Sequence, residues 1–221
     1  MSEYVFNNLG PVEIFAVCPS INITDNQGIN STVAKSSTEL TASNVITTYN
    51  VAKKLVVTLK DSNGVLENKK VTVKVGTISK TLTTDSKGQI SVDVSSLTPK
   101  AYTASISFAG DDNYGASSKS VKVTVKKATP KLTAKAKSFK KSVKTKKYII
   151  TLKTNKNKAM KKTKVSLKVK GKTYTAKTNS KGKATFKITK LTKKGTFKAI
   201  IKYNGNSYYN KVTKKVNIKI K

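Results

Sequence analysis

The chain has 221 residues, with 45 lysines, 10 acidic residues, no histidine and no arginine, and a formal net charge of +35. Because it has no histidine and a single cysteine, it cannot form a Ser-His-Asp or Cys-His catalytic arrangement, or a zinc site built on these residues. No apolar run approaches the roughly 20 residues of a transmembrane helix. The composition therefore favours a binding or structural protein over an enzyme.

The first 37 residues differ in character from the rest, and no fold can be assigned to them. Residues 12–17 (VEIFAV) could form one strand, but this run is too short and too closely flanked by acids for a signal peptide. Cys18 has no partner for an internal disulfide. Asn22 and Asn30 begin two N-glycosylation sequons, which would suit an exported segment. We expect the chain to be part of a longer, multi-domain surface protein whose signal and anchor lie elsewhere.

From residue 38 onwards the sequence is a tandem repeat. The segment KKLVVTLK at 53–60 returns as KKYIITLK at 146–153, and the similarity continues to the last residue. Aligning the two copies defines unit 1 (38–129) and unit 2 (130–221). Units of this size, made of short alternating runs separated by turn signals, are typical of a β-sandwich rather than a helical solenoid.

Apolar and polar side chains alternate along both units, as in β-strands with one buried face. No stretch keeps apolar residues at helical spacing for long enough to form an amphipathic helix. Gly88 and Gly182 fall where a hairpin needs a positive φ, so both units are predicted to be antiparallel β. The residues predicted to face the core are Val71, Val73, Val75, Ile90, Val92, Val94, Tyr102, Ala104, Ile106, Phe108, Val121, Val123 and Val125 in unit 1, and Val165, Leu167, Val169, Ala184, Phe186, Ile188, Phe197, Ala199, Ile201, Tyr203, Val216, Ile218 and Ile220 in unit 2.

Two motifs recur in both units and resemble a known family. One is the turn T-D/N-S-K-G before a strand, at 84–88 and 178–182. The other is an aromatic residue followed by x-G-D/N-x-x-Tyr, at 108–114 and 203–209. With these motifs the chain resembles the immunoglobulin-like repeats of prokaryotic surface proteins, especially the adhesin-like proteins of methanogenic archaea. The resemblance implies an all-β chain of two tandem immunoglobulin-like antiparallel β-sandwiches that works outside the cell as a stalk or adhesive arm.

The positive charge is concentrated in unit 2. Unit 1 contains 13 lysines and 7 acidic residues, whereas unit 2 contains 31 lysines and no acidic residue. An immunoglobulin-like topology places the third, sixth and seventh strands side by side, so their outward lysines would form a continuous basic face on unit 2. In unit 1 the outward positions are mostly Ser and Thr, with Lys70, Lys74, Lys122 and Lys126. The predicted face of unit 2 consists of Lys164, Lys168, Lys198, Lys202, Lys215 and Lys219.

Two interpretations of this face remain open. Lysine enrichment can reflect compositional bias and a need for solubility, with edge lysines discouraging strand-to-strand aggregation. Alternatively, the face binds an anionic cell-wall or surface polysaccharide, or a host glycan or protein, through many weak contacts that salt screens. Nucleic acid is the rival polyanion, but without arginine or an aromatic platform we expect no specific readout.

A candidate metal site lies at one end of unit 1. Asp61, Asp85, Asp111 and Asp112 follow the second, fourth and sixth strands, whose ends lie together when strand directions alternate. Calcium takes several carboxylate and carbonyl oxygens, so these residues could bind it. The alternative is that aspartate suits turns because its carboxylate bonds to its own backbone. We expect no other cofactor.

The sequence therefore predicts a non-enzymatic stalk and adhesion module of the cell surface, with unit 2 as the basic contact domain. An intracellular, nonspecific nucleic-acid binder and a purely structural spacer remain alternatives.

Overall fold

A computed structural model describes residues 34–221, so the segment 12–17, Cys18, Asn22 and Asn30 lie outside the described residues. Residues 34–221 form sixteen β-strands and include no helix able to cross a membrane. The strands are β1 (Glu39–Ala42), β2 (Val45–Thr48), β3 (Lys54–Lys60), β4 (Lys70–Val75), β5 (Ile78–Thr83), β6 (Gln89–Asp93), β7 (Ala101–Phe108), β8 (Ser117–Lys126), β9 (Lys131–Thr133), β10 (Lys137–Phe139), β11 (Lys146–Lys153), β12 (Lys164–Val169), β13 (Lys172–Lys177), β14 (Lys183–Ile188), β15 (Gly195–Tyr203) and β16 (Val212–Ile220).

The eight strands of each unit form a three-stranded sheet and a five-stranded sheet. In unit 1 the strand orders are β1-β3-β6 and β2-β8-β7-β4-β5. In unit 2 the same connectivity gives β9-β11-β14 and β10-β16-β15-β12-β13. The all-β prediction is confirmed, and the two units share one topology.

The sheets are not wholly antiparallel, because the first strand of each unit is divided between them. In unit 1, β1 pairs antiparallel with β3, and after a short break β2 pairs parallel with β8. In unit 2, β9 pairs with β11, and β10 runs parallel to β16. Hydrophobic alternation identifies a strand but not its partner, so these two parallel pairs could not be foreseen.

Each unit buries its own hydrophobic cluster between its two sheets. One cluster lies within 40–125 and the other within 134–220. The residues predicted to face inward are buried, except that Tyr102, Phe197 and Val216 are half-buried. Burial of apolar surface contributes about 25 cal/mol per Å². The alternation that predicted these residues therefore also holds the sheets together.

The recurring T-D/N-S-K-G turn carries the chain from the five-stranded sheet to the three-stranded sheet. Gly88 and Gly182 have the predicted positive φ, at 65° and 72°. A Cβ would approach the Leu59 carbonyl oxygen to 2.7 Å at the first position and the Leu152 carbonyl oxygen to 2.5 Å at the second. The prediction of a hairpin is wrong, because β5 and β6, like β13 and β14, belong to different sheets.

The threonine that opens this turn ties it to an earlier loop, the one before β4 in unit 1 and the one before β12 in unit 2. The Thr84 hydroxyl accepts a hydrogen bond from Lys69 N at 2.9 Å and donates one to Leu66 O at 2.6 Å. The Thr178 hydroxyl makes the two corresponding bonds in unit 2. Both threonines are buried, so each provides hydrogen bonds for two backbone groups at an interior position.

Candidate functional site

The six predicted lysines of unit 2 lie on the outer face of its five-stranded sheet. β12, β15 and β16 are neighbours there, in the order that an immunoglobulin-like topology requires. Lys168 pairs with Ile200, which pairs with Lys215, so these three form one row on the same face. The other lysines are spaced from this row by even numbers of residues, so they point the same way. All six are exposed.

Four of these lysines surround one apolar side chain. Lys198 and Lys202 lie two residues before and after Ile200 on β15, and Lys168 and Lys215 are its partners on the adjacent strands. At about 3.3 Å per residue along a strand, the Cα atoms of Lys198 and Lys202 lie roughly 13 Å apart. At about 4.8 Å between neighbouring strands, those of Lys168 and Lys215 lie roughly 10 Å apart. We refer to these two distances as the ring diagonals. Ile200 is half-buried at the centre. We call these five residues the lysine ring.

The lysines of the ring are staggered rather than directly opposed. None of the four pairs with another across strands, because each pairs with a neutral residue. Like charges directly opposite one another would destabilise the sheet. Within the ring the register therefore permits a high density of charge without placing two lysines side by side, whereas Lys164 pairs directly with Lys177 beyond it.

No carboxylate neutralises this face. Unit 2 contains no acidic residue, and both salt bridges within residues 34–221 lie in unit 1, at Lys60 and Lys69. Side-chain hydrogen bonds of lysines in unit 2 go to neutral oxygens, as where Lys131 Nζ donates to Asn157 Oδ1 at 2.9 Å. The face therefore presents uncompensated positive charge to solvent.

The corresponding face of unit 1 is lined mainly by hydroxyl groups. The row through Lys74, Ser105 and Ser120 occupies the place of the row through Ile200. The other outward residues of β4, β7 and β8 are mostly Ser and Thr, and the four lysines predicted there are exposed. The two units thus share a scaffold and differ in the chemistry of this face.

The sequence prediction omitted other outward lysines of unit 2. Lys177 on β13 pairs with Lys164 and extends the basic face to the edge strand. The outer face of the three-stranded sheet is basic as well, and the same alternation in β9, β11 and β14 would have identified it. Its outward lysines are Lys131, Lys147, Lys153, Lys183 and Lys187.

The four predicted calcium ligands do not come together as a site. Within residues 34–221, no three His, Cys, Asp or Glu residues are close enough to hold a metal ion. Asp61, Asp85 and Asp111 each accept two backbone hydrogen bonds within their own turn, and Asp112 is exposed. In unit 2, asparagine makes the same backbone bonds at two of these positions. The geometry favours turn capping.

Two carboxylates of unit 1 are held in their charged form. Asp111 Oδ2 accepts a hydrogen bond from Lys69 Nζ at 2.7 Å, and Lys69 Nζ also lies 4.4 Å from the Tyr114 ring centroid. The pKa of Asp111 is lowered, chiefly by the hydrogen bond from Lys69. The pKa of Asp93 is also lowered, chiefly by the backbone hydrogen bond from Ser95.

Acid should therefore destabilise unit 1 and leave unit 2 folded. A carboxyl group with a lowered folded pKa contributes stability that is present above its unfolded pKa, about 4, and is lost as the pH falls through the folded value. Unit 2 has no side-chain carboxylate to protonate. Thermal unfolding of the full chain can be followed by NMR signals from each unit. As the pH is lowered past about 4, the unfolding temperature of unit 1 should decrease and that of unit 2 should stay constant.

The matched control is Asp111→Asn, which keeps the oxygen that caps the turn and removes the titrating group. Its unit 1 signals should depend less steeply on pH than those of the wild type. Equal losses of stability in the two units on acidification would contradict this account.

Comparison with known proteins shows similarity of fold. The chain is similar to invasin, a bacterial integrin-binding protein, with a TM-score of 0.51 and 16% identity over 83% of this chain and 39% of that chain. It is also similar to a 1.5-MDa bacterial ice-binding adhesin (TM-score 0.37, 12% identity, 86% and 67% of the two chains) and to titin domains in complex with telethonin (0.47, 10%, 86% and 98%). No family model matches the chain, and no curated protein matches its sequence. The likeness to invasin and the shared topology of the units identify both as immunoglobulin-like β-sandwiches.

Proposed function

We propose that this chain is a non-enzymatic adhesion module of a cell-surface protein, in which unit 2 contacts an anionic wall or surface polysaccharide. Unit 1 acts as a stalk, and the chain is part of a longer, multi-domain protein. The observation that carries the proposal is the outer face of the five-stranded sheet of unit 2, where exposed lysines have no carboxylate partner. The two repeated motifs support kinship with adhesin-like proteins, those of methanogenic archaea in particular.

The chemistry of lysine suits a polymer better than a small ligand. Its ammonium group is a compact, strongly hydrated point charge that requires no planar partner. A single exposed ion pair contributes at most about 1 kcal/mol, so useful affinity needs many contacts made together. A chain with an anionic group on each repeating residue provides them.

The shape of the face also suits an extended ligand. It continues into an open groove of about 450 Å³ that is lined in part by Lys164, Ser166 and Lys202. An extended polymer can lie along the sheet and the groove together. A compact anion would leave most of the lysines unused.

Specific nucleic-acid recognition finds little support on this face. Its outward residues besides lysine are Ser, Thr, Asn and one Ile, with no aromatic ring on which a base could stack. The chain has no arginine to read guanine. Any binding to nucleic acid would therefore be nonspecific and strongly salt-dependent.

Replacing the six predicted lysines by serine tests the contact face. At physiological salt, this variant should bind immobilised polygalacturonate at least about tenfold more weakly and with a smaller salt dependence, because released counterions drive such binding. A matched control removes six charges from elsewhere on unit 2, at Lys131, Lys147, Lys153, Lys156, Lys183 and Lys187. The control variant should retain most of the affinity.

Other outcomes would contradict the proposal and favour a different interpretation of unit 2. Equal losses in both variants would mean that net charge, not this face, drives binding. Equal affinity of the wild type for DNA of matched charge would favour the nonspecific polyanion binder. Failure of the wild type to bind polygalacturonate would leave unit 2 as a spacer, and no loss in either variant would mean that binding does not use this face.

The surface location has a test of its own. A membrane-impermeant, lysine-directed reagent should label the protein on intact cells, since 45 lysines make it a sensitive target. A cytoplasmic protein of known abundance is the control and should stay unlabelled. Labelling that appears only after lysis would overturn the adhesion proposal.

A further inference from the structure

We infer that the lysine ring is the subsite that anchors one sugar residue of an acidic polysaccharide, with Ile200 in contact with the apolar side of the sugar ring. This inference rests on the proposed function and names the ligand class for the same face. The outward residues of that face are otherwise polar or charged. Ile200 is the one apolar side chain among the outward positions of β10, β12, β13, β15 and β16.

The surroundings of Ile200 combine two kinds of surface. Four lysines surround it in the sheet, and the stems of their side chains are methylene groups that are themselves apolar. The floor is therefore hydrophobic and the rim is cationic. In unit 1 the same position holds Ser105, with Thr103 and Ser107 along the strand, so the combination is not a requirement of the fold.

The ligand class that matches this arrangement has anionic groups at its edge and C–H groups on its face. A uronic acid or a sulfated sugar fits that description, because its carboxylate or sulfate projects from the rim of a ring whose faces carry C–H bonds. A polyphosphate chain has the charges without the apolar face. The ring diagonals of roughly 13 Å and roughly 10 Å leave room for a sugar residue to lie over Ile200.

A second apolar residue on unit 2 provides the matched control. Ile149 lies on the outer face of the three-stranded sheet and is 49% exposed. Its neighbours on that face are Lys147, Thr151 and Thr185, so a single lysine adjoins it. Ile149 is more exposed than the half-buried Ile200, and Lys183 and Lys187 lie only diagonally from it. Ile200 alone has a lysine at each of its four nearest positions on the face.

The test compares short oligogalacturonates and polyphosphate as probes for the full chain. Ile200→Ser should weaken binding to short oligogalacturonates about fourfold, as expected for losing roughly one methylene group of apolar contact. It should leave the affinity for polyphosphate unchanged, and Ile149→Ser should change neither. Ile200→Thr, which keeps a β-branched side chain in the strand, is the second variant and should give an intermediate loss.

The outcomes separate this inference from the proposed function. If Ile200→Ser and Ile200→Thr both leave oligogalacturonate binding intact while the six-lysine variant loses it, the subsite is wrong and the basic face stands. If the isoleucine variants weaken both probes equally, the sugar contact is likewise overturned. A six-lysine variant that still binds oligogalacturonate would overturn the proposed face and the subsite with it.

A separate observation concerns the contact between the two units. Ala128, in the linker before β9, is fully buried and pairs with the β15–β16 loop. Its N–H donates to Tyr208 O at 3.0 Å, and its carbonyl accepts from Asn210 N at 2.9 Å. The linker is therefore hydrogen-bonded into unit 2 through a single β-bridge.

A loop of unit 1 packs on the same loop of unit 2. The Tyr49 ring, just after β2, lies 5.0 Å from the Tyr208 ring and 5.7 Å from the Tyr209 ring. Asn155 Nδ2 donates to Tyr49 O at 3.4 Å. Burial, and after it the nearby Tyr49, raises the pKa of Tyr209. We call Tyr49, Tyr208 and Tyr209 the tyrosine cluster, and we infer that this cluster fixes the orientation of unit 2 relative to unit 1.

This contact belongs to the junction rather than to the repeat. Ser36 pairs with the β7–β8 loop of unit 1 just as Ala128 pairs with unit 2, so the hydrogen-bonded linker is common to both copies. The aromatic contact is not common to both copies. Lys141 is the residue of unit 2 that corresponds to Tyr49, because its N–H makes the equivalent backbone hydrogen bond. A tyrosine contact therefore distinguishes this junction.

Residual dipolar couplings of the full chain test the fixed orientation. Wild type should give one alignment tensor for both units, Tyr49→Phe should behave likewise, and Tyr49→Ala should give two different tensors. Val51→Ala, in the same loop, is the matched control and should resemble wild type. Two tensors in the wild type, or a single tensor retained by Tyr49→Ala, would overturn the inference.

Discussion

The alternation of side chains along each strand is the constraint on which the rest of the structure depends. Every second residue enters the core, and the two units agree closely in what they place there. The intervening residues take no part in the core, so they can change without loss of the fold. This separation explains how one sandwich can carry hydroxyl groups at positions where its copy carries lysines.

The price of that freedom in unit 2 is repulsion, because 31 lysines without a single acidic residue oppose compaction. The register limits the effect around Ile200, where the ring lysines are staggered across strands rather than opposed. It does not do so over the whole face, because Lys164 pairs directly with Lys177. Lys146, at 1% exposure, donates from Nζ to Val143 O at 2.6 Å, which offsets part of the cost of burying its ammonium group. An anion on the outer face would relieve the remaining repulsion, so ligand binding and stability of unit 2 are physically linked.

What could be predicted from the sequence was the local pattern, and what could not was the pairing of distant segments. Period-2 alternation predicted the core residues and six of the outward lysines of unit 2, since each depends on neighbours a few positions away. The parallel partner of β2 depends on a strand far along the chain. The role of Thr84 depends on a loop that approaches it only in the folded sandwich. The sequence prediction placed Asp61 and Asp85 in one calcium site because their loops lie at the same end of the unit. In the structure each carboxylate accepts hydrogen bonds from the backbone of its own turn instead.

The tyrosine junction and the basic face bear on the same physical problem. An open sheet of lysines binds a polymer only through many weak contacts, and their sum is useful only if the contacts can form together. A junction that restrains unit 2 reduces the orientational freedom lost when a long polymer is bound, and so lowers the entropic cost of binding. Under the function proposed here, the Tyr49 contact and the hydrogen-bonded Ala128 would act on affinity without touching the ligand. The stalk would then be part of the binding mechanism, because it would present the lysine ring in one orientation.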